Sequence, residues 1–168
     1  MLFPMAITHP DRDSLSVVCG VVTVSDTRTV ETDKSGQLIQ SMLKAAGHRI
    51  GGYHLVKDEP EQIAGLVQPL SPTVETIICN GGTGIAPRDT TYDTIAALFE
   101  KEIPGFGEIF RQLSYAEIGS RAIASRATAG VYRSTLIFLL PGSSNGVALA
   151  MESLILPELP HLVRQLKG

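Results

Sequence analysis

The chain has little of several features that mark common classes of protein. Aromatic residues make up only 5% of its 168 residues, tryptophan is absent and there are two cysteines. Fourteen basic side chains stand against seventeen acidic ones, so the basic excess typical of a nucleic-acid-binding domain is missing. Charged residues are 18% and hydrophobic residues 43% of the chain, which excludes an intrinsically disordered protein.

The usual motifs of metal and nucleotide sites are missing as well. Cys19 and Cys79 form no C-x-x-C pair, and the four histidines do not have zinc-ligand spacing. The glycine-rich segment near residue 82 matches neither a Walker A loop nor the G-x-G-x-x-G fingerprint. The longest apolar runs are short and strand-like. We therefore expect a cytoplasmic protein with buried, reduced thiols that binds neither nucleic acid nor a membrane.

What the chain does have is an alternation of strand-like and helix-like segments. Strands are predicted at 17–24, 48–56, 76–79 and 135–140, with a short hairpin partner at Gly130-Val131. Helices are predicted at 38–46, 61–70, 91–103, 106–113, 120–126 and 145–166. The β-branched run at 17–24 is typical of a strand covered on both faces. The order predicts an α/β fold, a three-layer sandwich with a mostly parallel central sheet.

Prolines and the first residues refine this prediction. Pro104-Gly105 is expected to interrupt the helix that starts near Thr91, and the last helix is expected to break near Pro157 and Pro160. Residues 1–14 are interpreted as a flexible N-terminal arm before a single domain at 15–168.

Small residues, hydroxyls and acids follow four of the predicted strands. In an open parallel sheet, ligands bind just beyond the carboxyl ends of the strands. The four segments are Ser25-Asp26, Asp58, Gly81–Asp89 and Pro141–Ser143. One such loop would mean little, but four at the same edge predict a binding site.

The most distinctive of these segments is the glycine loop, which we define as Gly81, Gly82, Thr83 and Gly84. Glycines let backbone N–H groups approach an anion such as phosphate, although a tight turn after a strand explains them equally well. The segment Pro141–Ser143 either presents backbone N–H groups at a helix start or forms an ordinary turn.

Two acids in these loops are candidate magnesium ligands. Asp58 and Asp89 stand on neighbouring loops and would supply the carboxylate oxygens that Mg²⁺ prefers. Each is also placed to cap a helix or turn. The same choice applies to Ser25 and Asp26, while Arg88 is placed either to bind a phosphate or to pair with an acid.

An apolar face is predicted at Phe106, Ile109, Phe110 and Leu113. We interpret it as core or as a contact between subunits rather than as a cofactor site.

Several segments together resemble a known family. They are VVTVSDTR with the later DKSG, GGTGIAPRDTTYD, EIPGFGEIFRQLSYAEIG with SRATAGV, and LLPGS. From about Val17 to its C-terminus, the chain resembles the MoaB/Mog family of molybdenum-cofactor biosynthesis proteins. The segments PGFGE and LSYAEIG look closer to the MoaB branch than to the MogA branch.

The resemblance implies an α/β sandwich that assembles as a trimer or a dimer of trimers. It implies binding of molybdopterin and, in active members, use of Mg-ATP to adenylylate its terminal phosphate. Asp58 and Asp89 match the acids tied to Mg²⁺ and catalysis. The candidate ligand-binding residues are Ser25, Asp26, Gly81, Gly82, Thr83, Gly84, Arg88, Pro141, Gly142 and Ser143. Expected partners are molybdopterin, ATP, further copies of the chain and other enzymes of the pathway.

One position departs from the active branch. Tyr92 stands where that branch commonly has a proline, and some MoaB-branch proteins have lost the paired acids. This chain keeps both acids, which favours a molybdopterin adenylyltransferase. The alternatives are a non-catalytic molybdopterin carrier of the same pathway and a general nucleotide-binding domain.

Overall fold

The computed structural model describes residues 15–168, and the predicted N-terminal arm lies outside this part of the chain. The strands are β1 Val18–Val24, β2 Arg49–Val56, β3 Thr76–Asn80, β4 Lys101–Glu102, β5 Thr128–Tyr132 and β6 Thr135–Leu140. They form one sheet in the order β2-β1-β3-β6-β5-β4. Strands β2, β1, β3 and β6 run parallel to one another, and β5 is antiparallel to its neighbours β6 and β4. The predicted mostly parallel sheet is confirmed.

Helices cover both faces of this sheet. They are α1 Lys34–Ala45, α2 Pro60–Leu70, α3 Thr91–Ala96, α4 Pro104–Ile118, α5 Ser144–Ala150 and α6 Leu156–Lys167. Because side chains alternate along a strand, Val21 faces the core under α1, α4, α5 and α6, and Val22 faces the core under α2 and α3. These two cores on one sheet are the predicted three layers.

The helix after Thr91 is shorter than predicted. It ends at Ala96, and the chain then pairs with β5: Glu100 N donates to Val131 O and Ile103 N to Ala129 O, both at 2.8 Å. Pro104 does not interrupt a helix but stands at the start of α4, where its missing N–H costs no hydrogen bond. The predictions of a helix to Ile103 and of an interruption at Pro104 are therefore wrong.

The predicted break in the last helix is also wrong. The segment Ser144–Lys167 is one continuous helix in which a π-helical turn, Met151–Ile155, links α5 to α6. Pro157 lies in the first turn of α6 and Pro160 inside it. This helix is long enough and, with a mean hydropathy of 1.3, apolar enough to cross a membrane. One such helix is weak evidence for a membrane span, because core helices meet the same criteria. Its apolar side is packed into the core under α1 and α4.

The remaining predictions about buried residues agree with the structure. In the predicted apolar face of α4, Phe106 and Phe110 are buried in the core, which was one of the two interpretations. Ile109 of the same predicted face is 48% exposed. Cys19 and Cys79 are free and buried. Burial raises the pKa of both thiols to about 12, so they stay protonated and unreactive at neutral pH.

Side chains from neighbouring segments hold the start of β1. Val17 N donates to His48 Nδ1 at 3.2 Å, and Val18 N donates to Glu75 Oε2 at 2.8 Å. The other oxygen of Glu75 pairs with Lys167 at the end of α6. His48 is buried, and this burial lowers its pKa below the ordinary value of 6.5.

We expect His48 to make the fold sensitive to mild acid. As the pH falls below about 6.5, the unfolded chain takes up a proton at this residue before the folded chain does, so the free energy of unfolding falls. In His48→Asn, an amide oxygen that does not titrate replaces the ring nitrogen. Urea unfolding is measured at about pH 7.5 and about pH 5. Between these two pH values, the urea concentration at the unfolding midpoint should fall more for the wild type than for the variant. Equal falls would contradict this prediction.

Candidate functional site

The structure brings together the four loops that the sequence places after parallel strands. Ser25 N donates to Val56 O at 2.9 Å, and Gly81 N donates to Leu140 O at 3.0 Å. Asp58 N donates to Asp26 Oδ1 at 3.1 Å. The ends of β1, β2, β3 and β6 therefore form one continuous edge.

The glycine loop begins with two residues in the left-handed region of backbone conformation. Gly81 has φ 101° and Gly82 has φ 66°. A Cβ on Gly81 would lie 2.1 Å from Val24 O, and one on Gly82 would lie 2.0 Å from Thr91 Oγ1. The loop thus packs too closely for any larger residue, which is a structural reason for these glycines in addition to any role in binding.

Asp58 is a buried carboxylate at the end of β2. Its Oδ1 accepts hydrogen bonds from Thr90 N at 3.0 Å and Thr90 Oγ1 at 2.6 Å. Thr91 Oγ1 donates to the same oxygen at 3.3 Å. Asp58 is therefore held by donors at the start of α3, a helix that begins 33 residues later in the chain. Sequence reasoning missed Thr90 and Thr91, because no local pattern links them to Asp58.

The two candidate metal ligands pack against the same loop. Asp58 Oδ2 lies beside Gly82, where a Cβ would come within 2.4 Å of it. Asp89 Oδ2 lies beside Gly84, where a Cβ would come within 2.6 Å, and it accepts from Ala86 N at 3.2 Å. Within 15–168 no group of three or more protein ligands is arranged to hold a metal. Two carboxylates fit Mg²⁺, which commonly completes its shell with substrate phosphates and water.

Arg88 links two other loops by ion pairs. Its guanidinium contacts both oxygens of Asp26, at 2.7 and 3.0 Å, and Glu59 Oε1 at 2.8 Å. The hydrogen bond from Arg88 lowers the pKa of Asp26, and the two acids raise the pKa of Arg88. Of the two interpretations of Arg88, pairing with acids is the one that this structure shows.

Two predicted hydroxyls cap the backbone. Ser25 Oγ accepts from Thr27 N and Arg28 N, at 3.2 and 3.1 Å, and so closes the turn after β1. Ser143 Oγ accepts from Gly146 N at 3.2 Å and caps α5.

A cavity of about 410 Å³, the main cavity, opens beside these loops. Thr83 and Gly84 line it from the glycine loop, and Pro141 and Ser143 line it from the loop after β6. The opposite wall is built by Phe110, Ser114, Glu117, Ile118, Arg121 and Ser125. Asp26, Asp58, Arg88 and Asp89 do not line this cavity; of these four residues, Asp58 and Asp89 pack against its glycine loop.

Ser125 is the most informative residue of the opposite wall. Its Oγ is shielded from solvent and has no hydrogen-bond partner among the described residues. A buried hydroxyl in this state is expected to bind a ligand or water. Sequence reasoning missed this wall, although Ser114, Glu117, Ile118 and Ser125 lie in the segments LSYAEIG and SRATAGV that carry the family resemblance.

Tyr92, the residue that departs from the active branch, is accommodated at the start of α3. The guanidinium of Arg126 lies 4.0 Å from the centre of its ring and pairs with Asp93 at 2.7 Å. Tyr92 lines a second cavity of about 330 Å³ and not the main cavity. Tyr92 therefore contacts Arg126 and the second cavity.

Comparison with known proteins shows the family of this chain. A family model described as a probable molybdopterin binding domain matches residues 20–161. The chain is 53% identical over 167 residues to molybdenum cofactor biosynthesis protein B of Bacillus subtilis, covering 97% of this chain and 98% of that protein. It belongs to the MoaB/Mog family. As a member, it is a molybdenum-cofactor biosynthesis protein with a molybdopterin-binding domain.

Solved structures of MoaB/Mog proteins share the fold. A crystal structure of molybdenum cofactor biosynthesis protein B matches with TM-score 0.89 and 49% identity over 93% of this chain and 99% of that one. The tungsten cofactor synthesizing protein MoaB from Pyrococcus furiosus matches with TM-score 0.81 and 35% identity over 91% and 98% of the two chains. A MogA structure matches with TM-score 0.80 and 30% identity over 89% and 99%. Among these structures, the higher identities are to MoaB proteins.

Proposed function

We propose that this protein binds molybdopterin in the main cavity and transfers AMP to its terminal phosphate from Mg-ATP. One observation carries the proposal. The glycine loop lines the main cavity with Thr83 and Gly84, while Asp58 and Asp89 pack against the same loop. Backbone donors for an anion and a pair of carboxylates for Mg²⁺ thus meet at one loop.

The reaction needs positioning more than a protein nucleophile. An oxygen of the molybdopterin phosphate bonds to the α-phosphorus of ATP, and the bond from that phosphorus to pyrophosphate breaks. Both reactants are anions, so the barrier falls when their charges are neutralised and their atoms aligned. Bound Mg²⁺ supplies part of that neutralisation.

Different residues of this chain would hold Mg²⁺ and bind the phosphates. Asp58 and Asp89 would hold Mg²⁺, and the hydroxyls of Thr90 and Thr91 keep the Asp58 carboxylate in one orientation. Backbone N–H groups of Gly82, Thr83 and Gly84 would bind phosphate oxygens, whereas the N–H of Gly81 already donates to Leu140 O. Ser125 lines the main cavity, and its shielded hydroxyl has no hydrogen-bond partner among the described residues.

A non-catalytic molybdopterin carrier is the second candidate, and the ion pairs of Arg88 favour it. A guanidinium that already holds Asp26 and Glu59 is less available to neutralise ATP than a free one. A carrier would still use the main cavity but would not consume ATP.

The deciding experiment incubates the wild-type protein with molybdopterin and radiolabelled ATP, with and without Mg²⁺. Formation of adenylylated molybdopterin and pyrophosphate only with Mg²⁺ supports the enzyme. Tight molybdopterin binding without ATP consumption supports the carrier. Failure to bind molybdopterin contradicts both.

We further propose that the protein acts in the cytoplasm, because its two thiols are free and buried.

We also propose that copies of the chain associate through the exposed apolar residues of α4 and of the 3₁₀ helix Gly119–Ala124 that follows it. Ile109, Tyr115, Ile118 and Ile123 are exposed by 48%, 63%, 53% and 84%. These large apolar side chains cluster in the sequence between residues 109 and 123, and exposed apolar residues of this kind are typical of protein–protein interfaces. The resemblance predicts a trimer or a dimer of trimers.

Replacing Tyr115 with Asp places a charge within this cluster. We expect Tyr115→Asp to shift the sedimentation coefficient toward that of the monomer at micromolar concentration. The control is Val30→Asp, because Val30 is 54% exposed but lies in the loop before α1. A wild type that already sediments as a monomer would contradict this proposal.

A further inference from the structure

The carbonyl oxygen of Gly142 accepts two short hydrogen bonds from residues outside the main cavity. Arg28 Nη2 donates to it at 2.7 Å, and Ser35 Oγ donates to it at 2.7 Å. The neighbours of Gly142, Pro141 and Ser143, line the main cavity, whereas Arg28 and Ser35 do not. Two side chains therefore hold a peptide of the cavity wall from behind.

One of the two donors, Arg28, also forms an ion pair with a buried acid, Asp33. Asp33 is fully buried and accepts from Gly36 N at 3.0 Å and from the Tyr53 hydroxyl at 2.5 Å. Its Oδ1 lies 3.6 Å from Arg28 Nη1. Burial and the neighbouring Asp33 raise the pKa of Tyr53, so the hydroxyl remains a donor. Ser35 is buried in the first turn of α1, two residues after Asp33.

The two bonds decide which way the Gly142–Ser143 peptide faces. None of the described peptide bonds is cis. In a trans peptide the carbonyl and the following N–H point in opposite directions. Since the Gly142 carbonyl points to Arg28 and Ser35, the Ser143 N–H points away from these two side chains, and Ser143 itself lines the main cavity. A flipped peptide would exchange the directions of the carbonyl and the N–H, and glycine makes such a flip easy.

We propose that Arg28 and Ser35 are positioning residues that keep the Ser143 N–H directed at an anionic group of the ligand in the main cavity. This inference rests on the proposed function, because it takes the ligand to carry phosphate. A carbonyl oxygen in place of that N–H would repel the anion rather than bind it. Sequence reasoning did not find these residues, although Ser35 lies in the DKSG segment.

The test follows the backbone amide signal of Ser143 in the ¹⁵N-labelled full-length protein while inorganic pyrophosphate is added at constant ionic strength. We expect the signal to shift in the wild type. Arg28→Ala and Ser35→Ala should each weaken pyrophosphate binding about threefold, since one donor still holds the carbonyl. The double variant should weaken it more than about 30-fold, since the peptide is then released. The control is Arg49→Ala, which also removes one positive charge but lies at the far end of β2. It should bind pyrophosphate like the wild type.

Three outcomes overturn the inference. The first is that pyrophosphate does not shift the Ser143 signal in the wild type. The second is that Ser35→Ala binds like the wild type and the double variant like Arg28→Ala, which would mean that Arg28 acts only by charge. The third is that all losses follow thermal stability, measured on the same samples. If instead the Ser143 results hold but no AMP transfer is found, the proposed enzyme fails and the positioning of the peptide stands.

Discussion

Asp89→Asn is expected to lower the rate of AMP transfer at least about 100-fold while molybdopterin binding changes by less than about threefold. The substitution keeps the size of the side chain and an oxygen that accepts from Ala86 N. What it removes is a negative charge beside Gly84, where we place a ligand of Mg²⁺. Asp89 tests this role more cleanly than Asp58, because Asp58 also accepts three hydrogen bonds at the start of α3.

The matched control is Asp93→Asn, which makes the same change four residues further along the chain. Asp93 is exposed and pairs with Arg126, so its loss should leave the transfer rate within about threefold of the wild type. Rates are measured with labelled ATP at saturating Mg²⁺, and molybdopterin affinity is measured separately by fluorescence. Wild-type turnover in Asp89→Asn would contradict the proposed role of this acid.

Gly81→Ala is expected to destabilise the fold by about 3 kcal/mol or more. Gly81 has φ 101°, and a Cβ there would lie 2.1 Å from Val24 O. The atom in the way belongs to the backbone at the end of β1, so no side chain can rotate to make room. Either the turn must change its conformation, or the ends of β1 and β3 must separate.

Gly65→Ala is the control for this substitution. Gly65 lies inside α2, and apart from its chain neighbours and the adjacent helix backbone no described atom would come within 4 Å of a Cβ at that position. Because alanine favours helices, this variant should be more stable than the wild type by about 0.5–1 kcal/mol. Both variants are unfolded in urea at one fixed protein concentration, since association contributes to apparent stability. Equal midpoints for Gly81→Ala and the wild type would show that the turn tolerates a side chain.

The strands of the parallel sheet could be predicted because their pattern is local. A strand buried on both faces needs an unbroken apolar run, and Val17–Val24 and Thr135–Leu140 are such runs. β1 begins one residue later than predicted, and β6 has the predicted bounds. The β5–β6 hairpin was also predictable, although its turn at Arg133 and Ser134 uses two residues with positive φ that a sequence pattern does not favour.

Local pattern could not predict structure that depends on a distant partner. The two-residue strand β4 exists because Lys101 and Glu102 pair with Val131 and Gly130 of β5. Without that partner, the apolar spacing up to Ile103 favours a longer helix. In the last helix, packing of its apolar side against the core outweighs the tendency of proline to end a helix.

The same division holds for the candidate site. The sequence by itself determined the parallel strands, the four loops at one edge and the identity of the acids and glycines in them, because these follow from the order and spacing of residues. Only the tertiary structure decided that Thr90 holds Asp58, that Arg88 pairs with Asp26, and that α4 supplies the far wall of the main cavity. These contacts join segments far apart in the chain, and their geometry is set by how helices and loops pack on the sheet.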